Sequence, residues 1–339
     1  MRLLNSSTSQ LEFFPDKDIP EYAILSHTWG KAGEEVTFED LRGGEPHRKE
    51  KGYEKLKYSC KQAAAEQIGY VWIDTCCINK ESSAELSESI NSMFLWYQKA
   101  KICYAYLTDV PTGIDPHNSS EFNNSNWFTR GWTLQELIAP SNLAFYSKDW
   151  VEIGSKSDLA STISRITRID EGILTGLQDL KSTSVAKRMS WASDRKTTRL
   201  EDMAYCLMGL FNVNMAMLYG EGEEKSFRRL QEEIMKDSDD ETLFAWTNTR
   251  ESQPSQQGLL AKSPADFRKS GHYIPYCDWE PRTPYSITSR GLCITLSLHL
   301  LEGDTWIGTL ECPVPPEYDE FLGIYLKRLS KEDQQYARV

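Results

Sequence analysis

The sequence predicts an α/β chain: a parallel sheet with flanking helices, then a helical region, then a small antiparallel β meander. Three observations carry this. Four short apolar runs, at 22–26, 70–73, 102–107 and 143–146, alternate with stretches of helical spacing. After Trp150 the apolar spacing turns helical. From Leu292 to Leu300, Leu and Ile alternate with Cys, Thr, Ser and His at a period of two residues. The implied organisation is 1–150, 151–242 and 243–339.

The first run, YAILS, reads as a buried strand that stops at His27, Thr28, Trp29 and Gly30. Residues 31–50 are charged and glycine-rich and read as a loop. Tyr53, Leu56, Cys60 and Ala63 or Ala64 share one face of a predicted helix over 53–67, which Gly69 ends. YVWI follows as the second strand and runs into Asp74, Thr75, Cys76 and Cys77. Leu86, Ile90, Met93 and Tyr97 mark the next helix, with Ser82 or Ser83 as its cap. ICYAYL is the third strand, 111–126 a polar loop, and LAFY the fourth strand. Strands alternating with helices in this way form parallel sheets whose ligands sit beyond the carboxyl ends of the strands. Ser26–Gly30 and Asp74–Asn79 fall at those ends.

Downstream, helices are predicted over 156–168, 185–192, 199–211 and 223–236, with Thr198 and Glu201 at capping-box spacing. The period-two run then turns at Gly303 into 306–310, and 321–326 adds a third strand.

Composition narrows the function classes. The chain has 339 residues, room for one large or two ordinary domains, and 40% hydrophobic residues, enough for a proper core. Fifty acidic against 38 basic residues give a formal charge of -12, which disfavours nonspecific binding to nucleic acid or anionic membrane. The eight cysteines (60, 76, 77, 103, 206, 277, 293 and 312) show no CxxC pair, so neither structural zinc nor a disulfide framework is expected. The segment MRLLNSSTSQLEFF lacks the apolar core of a signal peptide, and no run has transmembrane length. A cytoplasmic protein with no metal is expected, and the sequons at Asn5, Asn118 and Asn123 read as incidental. Neither a P-loop ending nor a G-x-G-x-x-G fingerprint is present.

The densest stretch is WFTRGWTLQELIAP, residues 127–140. Trp132, Leu134, Leu137 and Ile138 form an apolar stripe at helical spacing. Glu136 falls off that stripe toward the helix edge, and Pro140 closes the segment. A short helix with one acid on its flank can aim that carboxylate at a neighbouring cleft. The bland alternative is a core helix whose glutamate is solvated.

YAILSHTWG, then GYVWIDTCCINKESSAELSESINSMFLWYQKAKICYAYL, then WFTRGWTLQELIAP together resemble the heterokaryon-incompatibility (HET) domain of fungi. RLEDMAYCLMGLFNVNMAMLYGEGEEKSFRRLQEEI is similar to the segment that trails this domain in larger incompatibility proteins. The resemblance implies non-self recognition and regulated cell death, self-association, and an upstream partner of NLR type or another incompatibility protein. A second, shorter resemblance links WTLQEL to the WCLxEL-type motif of TIR domains, with threonine in place of cysteine. It implies a flavodoxin-like (TIR-like) sheet, Glu136 at the catalytic position, and NAD or a related nucleotide as substrate, with no permanently bound cofactor.

That resemblance gives roles to the residues at the strand ends. Ser26, His27 and Asp74 would line the pocket, Trp29 or Trp132 would stack on a ring of the nucleotide, and Arg130 would pair with pyrophosphate. Each has a structural alternative: Trp132 as core, Arg130 as a cap or salt bridge, Asp74 bonded to loop amides. Glu85 reads as a helix N-terminal partner rather than a catalyst. Two competing readings stay open. One is a non-enzymatic self-association module; the other is a thiol hydrolase using Cys76 or Cys77 with His27 and Asp74.

Overall fold

The computed structural model describes residues 1–248, 256–275, 283–314, 317–330 and 334–339. Cys277 lies outside them. The chain forms two compact units, Met1–Gln178 and Asp179–Val339.

The first unit is built on a seven-stranded sheet of β1 (Arg2–Asn5), β2 (Leu11–Phe13), β3 (Tyr22–His27), β4 (Tyr70–Trp72), β5 (Ile102–Tyr106), β6 (Leu143–Tyr146) and β7 (Glu152–Ser155). The spatial order is β2-β1-β4-β3-β5-β6-β7. The four strands predicted from apolar runs are the parallel core: β3 pairs β4 and β5, and β5 pairs β6, all in parallel. Three antiparallel strands that the apolar runs did not announce close its edges. In β1, Leu3 and Leu4 are fully buried, yet the run is too short for periodicity to distinguish. The chain lays β4 on one side of β3 and then crosses back to lay β5 on the other. That reversal makes the carboxyl ends of β3 and β5 a topological switch point.

Helices cover both faces of this sheet. On one, Trp72 of β4 meets Trp96 and Tyr97 of a helix over Ser83–Lys99 edge-on. On the other, Tyr58 of a helix over Glu50–Ala65 stacks on Trp150, which also stacks on Tyr146 and meets Tyr104. The unit's helices are α1 (Phe38–Arg42), α2 (Glu50–Ala65), α3 (Ser83–Lys99), α4 (Ser120–Asn123), α5 (Thr133–Ile138), α6 (Ala160–Thr167) and α7 (Glu171–Leu174).

Local chemistry explains the differences from expectation. The region 31–50 holds α1, because Thr37 and Asp40 form a reciprocal capping box. In α2, Leu56, Cys60 and Ala63 are buried as expected, while Ala64 is exposed. The helix ends at Ala65, and the left-handed residue after it is Gln67 (φ 61°) rather than Gly69. Ser82 caps α3 by accepting the Glu85 amide. The expected polar loop 111–126 contains α4.

The second unit carries α8 (Val185–Ser190), α9 (Asp202–Tyr205), α10 (Met208–Phe211) and α11 (Glu223–Asp237). The helix expected over 199–211 is broken into α9 and α10. Thr198 and Glu201 do not make a capping box at α9; the Glu201 carboxylate instead accepts the Gly220 and Gly222 amides at 2.9 and 3.0 Å. The meander is present as a four-stranded antiparallel sheet of β10 (Ser297–Glu302), β11 (Thr305–Val314), β12 (Glu317–Arg328) and β13 (Tyr336–Arg338). The period-two run is split, because Gly291–Cys293 forms β9 of a separate hairpin with β8 (Ser286–Thr288).

Candidate active site at the carboxyl ends of the central strands

Ser26 and His27 are consecutive at the end of β3, so their side chains leave on opposite faces of the sheet. Each face receives it with a different chemistry.

On the α3 and α5 side, the indole of Trp127 donates to Ser26 Oγ at 2.8 Å, and Ser26 donates to Glu136 Oε2. Trp127 can only donate, so Ser26 must accept from it, and its single proton is left for Glu136. Tyr97 also faces the Glu136 carboxyl while donating to the Leu25 carbonyl at 2.9 Å. All six residues of α5 are buried, and Glu136 itself is 7% exposed. The expectation that Glu136 would sit toward a helix edge is therefore corrected. A six-residue helix wedged between sheet and α3 has no solvent edge.

On the α2 side, His27 Nδ1 lies 3.2 Å from the Lys55 ammonium and Nε2 lies 3.2 Å from Asp74 Oδ1. An ammonium has no acceptor, so Nδ1 is the accepting nitrogen, and the proton sits on Nε2, donated to Asp74. Lys55 is paired with Glu35 and also donates to the Thr28 carbonyl. Asp74 Oδ2 accepts the Trp29 indole N–H at 2.9 Å and lies 4.0 Å from Lys80 Nζ. Lys80 Nζ in turn sits 3.7 Å from the centre of the Trp29 ring, which is 48% exposed.

The two carboxyl groups are driven in opposite directions. Burial pushes Glu136 up to about 8, reinforced by the charge of Asp74 and offset in part by Ser26, Tyr97 and Arg130. Burial also pushes Asp74 upward, but Lys80, His27 and the Trp29 N–H outweigh it and hold the group down at about 2. Near neutrality one acid keeps its proton and its neighbour is a carboxylate. Divergent carboxyl pairs of this kind mark acid–base sites.

Of the residues singled out in the sequence, Ser26 and Glu136 are in contact, and His27, Trp29 and Asp74 form a second cluster. Arg130 is half-buried and reaches Glu136 through its charge. Trp132 is half-buried at the N-cap of α5 rather than fully in the core. Glu85 takes the Asn79 amide and pairs with Arg2, a structural role as expected. Sequence reading missed Trp127, Tyr97, Lys55, Glu35 and Lys80. One signal was available: Lys55 and Ser59 are polar residues on the apolar face of α2, and buried polar groups need partners.

The Cys76 and Cys77 thiols serve the turn after β4. Cys77 Sγ accepts the Ile73 amide, and Cys76 Sγ points to the Ile73 carbonyl. Both are buried, and the Cys76 thiol is pushed well above its ordinary value by its hydrogen bond to Cys77 and by burial. With the His27 nitrogens engaged by Lys55 and Asp74, this is a poor setting for a thiolate nucleophile. Among the described residues no group of three or more His, Cys, Asp or Glu side chains could hold a metal ion, and no helix is long and apolar enough to cross a membrane.

A family model described as heterokaryon incompatibility protein (HET) matches residues 22–113, which include the whole His27–Asp74 cluster and stop short of Glu136. A domain of unknown function, DUF8212, matches residues 225–273. The chain is similar to the vegetative incompatibility protein HET-E-1 of Podospora anserina, 47% identical over 247 residues. That match covers 70% of this chain and 18% of the relative, so the chain spans only a fraction of that protein's length. No solved structure matches. The strand ends and the His27–Asp74 cluster thus fall inside the family match, and the relative extends the likeness over 70% of the chain: the chain is a heterokaryon-incompatibility (HET) domain protein.

Proposed function

We propose that this chain acts in heterokaryon incompatibility as a cell-death effector. In this reading its first unit is TIR-like and cleaves the nicotinamide–ribose bond of NAD when copies assemble. The observation that carries the reading is the desolvated Glu136, hydrogen-bonded by Ser26 at the switch point of a parallel sheet whose core strands run in flavodoxin-like order.

In the reaction the C–N glycosidic bond breaks heterolytically. The electron pair leaves with nicotinamide, neutralising its ring, and positive charge develops on the ribose as an oxocarbenium-like state. Water adds to that carbon and releases one proton. The cationic ring of the substrate lowers the pKa of Glu136 on arrival, as an opposite charge does, so the group gives up its proton to solvent as the complex forms. The carboxylate then holds the ribose hydroxyls and stabilises the developing charge. Arg130 supports pyrophosphate binding as a two-pronged donor.

A second reading has its own support. Glu136 is almost wholly buried and engaged by Ser26 and Tyr97, which also suits a core residue of a non-enzymatic self-association module. Nicotinamide release from NAD by purified chain, at high concentration or under crowding, beside Glu136→Gln, separates the two. Release by the wild type alone supports the enzyme. Cell killing that persists with Glu136→Gln at equal protein level supports the module.

A further inference from the structure

Trp29 presents a large aromatic face to solvent from a loop that is firmly pinned. The Gly30 amide donates to Glu35 at 2.7 Å, the Lys31 amide donates to Glu34 at 2.9 Å, and Lys55 holds the Thr28 carbonyl at 3.2 Å. The loop also lies directly on α2: a Cβ at Gly52 would meet the Glu34 carbonyl oxygen at 2.5 Å and the Val36 nitrogen at 2.7 Å. The indole is further oriented by its bond to Asp74, and Asp74 by His27. A π face and a carboxylate are thereby fixed toward one point. The Lys80 ammonium occupies it, 3.7 Å from the ring centre and 4.0 Å from Asp74 Oδ2.

The geometry points to a cation cradle made by Trp29 and Asp74, in which Lys80 is an intramolecular stand-in that a flat cationic ring must displace. The inference deepens the NAD reading and rests on it for the identity of the ring. A ring face and a carboxylate both favour positive charge, and they favour it most where water is partly excluded. Lys80 sits on a flexible stem with its side chain 35% exposed, so it can swing into solvent while the cradle stays in place. An incoming pyridinium takes up the Trp29 face and the Asp74 carboxylate that Lys80 leaves. A neutral dihydropyridine displaces the same ammonium and regains neither. Lys80 therefore holds the empty site closed, while Trp29 and Asp74 make the opened cradle favour the oxidised dinucleotide over the reduced one.

The test is calorimetric binding to the full chain carrying Glu136→Gln, so that turnover does not intervene. The probes are NAD, its reduced form, 1-methylnicotinamide (a cation) and nicotinamide (neutral). Adding Lys80→Met, which keeps the stem and removes the charge, is expected to tighten NAD and 1-methylnicotinamide about 3- to 10-fold, in line with a cation–π contact. The two neutral rings should tighten by a similar factor and stay weaker than the charged rings wherever Trp29 and Asp74 are both present. Adding Trp29→Leu should reduce the preference for the charged rings, with circular dichroism confirming that the variants fold. Unchanged or weaker NAD binding in Lys80→Met overturns the stand-in role of Lys80, and equal affinity for charged and neutral rings in that variant overturns the charge preference of the cradle, each while leaving NAD as substrate. Binding of 1-methylnicotinamide without any binding of NAD keeps the cradle and overturns the NAD reading. Binding of no probe to any variant overturns the cradle itself.

Discussion

Ser26 and Glu136, 110 residues apart in the chain, share a hydrogen bond whose direction is set by a third residue. Because Trp127 donates into Ser26, the serine proton points at Glu136. Ser26→Ala removes a donor that favours the ionised form of Glu136, so the carboxyl midpoint should rise above its value of about 8. It also strands the Trp127 N–H inside the protein, at a cost of roughly 1–3 kcal/mol. Infrared titration of the carboxyl band and urea denaturation check the two effects. An unmoved midpoint would show that Ser26 does not tune Glu136.

Glu136 also makes stability depend on pH. Its folded pKa is about 8 against an ordinary value of 4.5, so between these values the folded state keeps a proton that the unfolded chain has released. The associated stability is fully present below about 4.5 and is lost as pH rises through 8. The slope approaches about 1.4 kcal/mol per pH unit within that window. Asp74, held at about 2, contributes stability above 3.8 that is lost only in strong acid, outside the window. Glu136→Gln should therefore flatten the stability profile between pH 5.5 and 8 and be more stable than wild type at pH 8. Parallel profiles for the two proteins would contradict the burial argument.

Thiol chemistry gives a third expectation. Cys60, Cys76, Cys77, Cys103, Cys206 and Cys312 are buried, whereas Cys293 is exposed. Of these, Cys293 alone should react within seconds with an aromatic disulfide reagent in the native state. Cys76→Ser and Cys77→Ser should leave nicotinamide release within about 2-fold of wild type once differences in folded fraction are removed. Loss of release in either variant, with the fold intact, would restore the cysteines as candidates for the chemistry.

The parallel core was legible because its strands are continuous apolar runs, the pattern a strand buried on both faces must show. The short edge strands were not, since three or four residues cannot display a period. The residue types at the strand ends, Ser26, His27, Trp29 and Asp74, stood out because polar groups interrupt those runs at the place where parallel sheets bind ligands. Their pairing did not. Which of Ser26 and His27 meets Glu136 depends on the face that each strand residue presents, and that is set by the pairing of β3 with β5. Trp127 and Lys55 were hidden for the opposite reason. Each resembles ordinary core or surface from its neighbours in sequence, and each acquires its role from a partner more than 25 residues away.

Gly52 carries a fourth prediction. A Cβ there would press on backbone atoms of residues 34–36, none of which can swing aside as a side-chain tip can. Gly52→Ala should force the loop after β3 off α2 and separate Lys55 from Glu35 and Thr28. A loss of about 1–3 kcal/mol is expected, which for a unit of this size lowers Tm by roughly 2–12 °C. The fluorescence of Trp29 should shift at the same time, because the loop that pins it has moved. A stable variant with unchanged fluorescence would show that the loop is not clamped by this contact.

Lys156 is the anchor of the helix that bears Glu136. It is 3% exposed, and its ammonium donates to the carbonyls of Leu137 and Pro140, at 3.2 and 2.5 Å, where α5 ends. Cations are favoured at helix C-termini, but burial pushes this one down to about 8. The unfolded chain keeps its proton up to about 10.5, so from pH 8 to 10.5 the unfolded state binds more protons and the wild type gains stability as pH rises. Lys156→Met keeps the stem and loses both donors. Its deficit relative to wild type should be small at pH 7, where the wild type bears the cost of a buried charge, and should widen by about 1–2 kcal/mol at pH 9.5. Denaturation of both proteins at the two pH values measures this directly. A deficit of equal size at both would mean that Lys156 stays charged throughout and that its bonds to α5, rather than its burial, dominate.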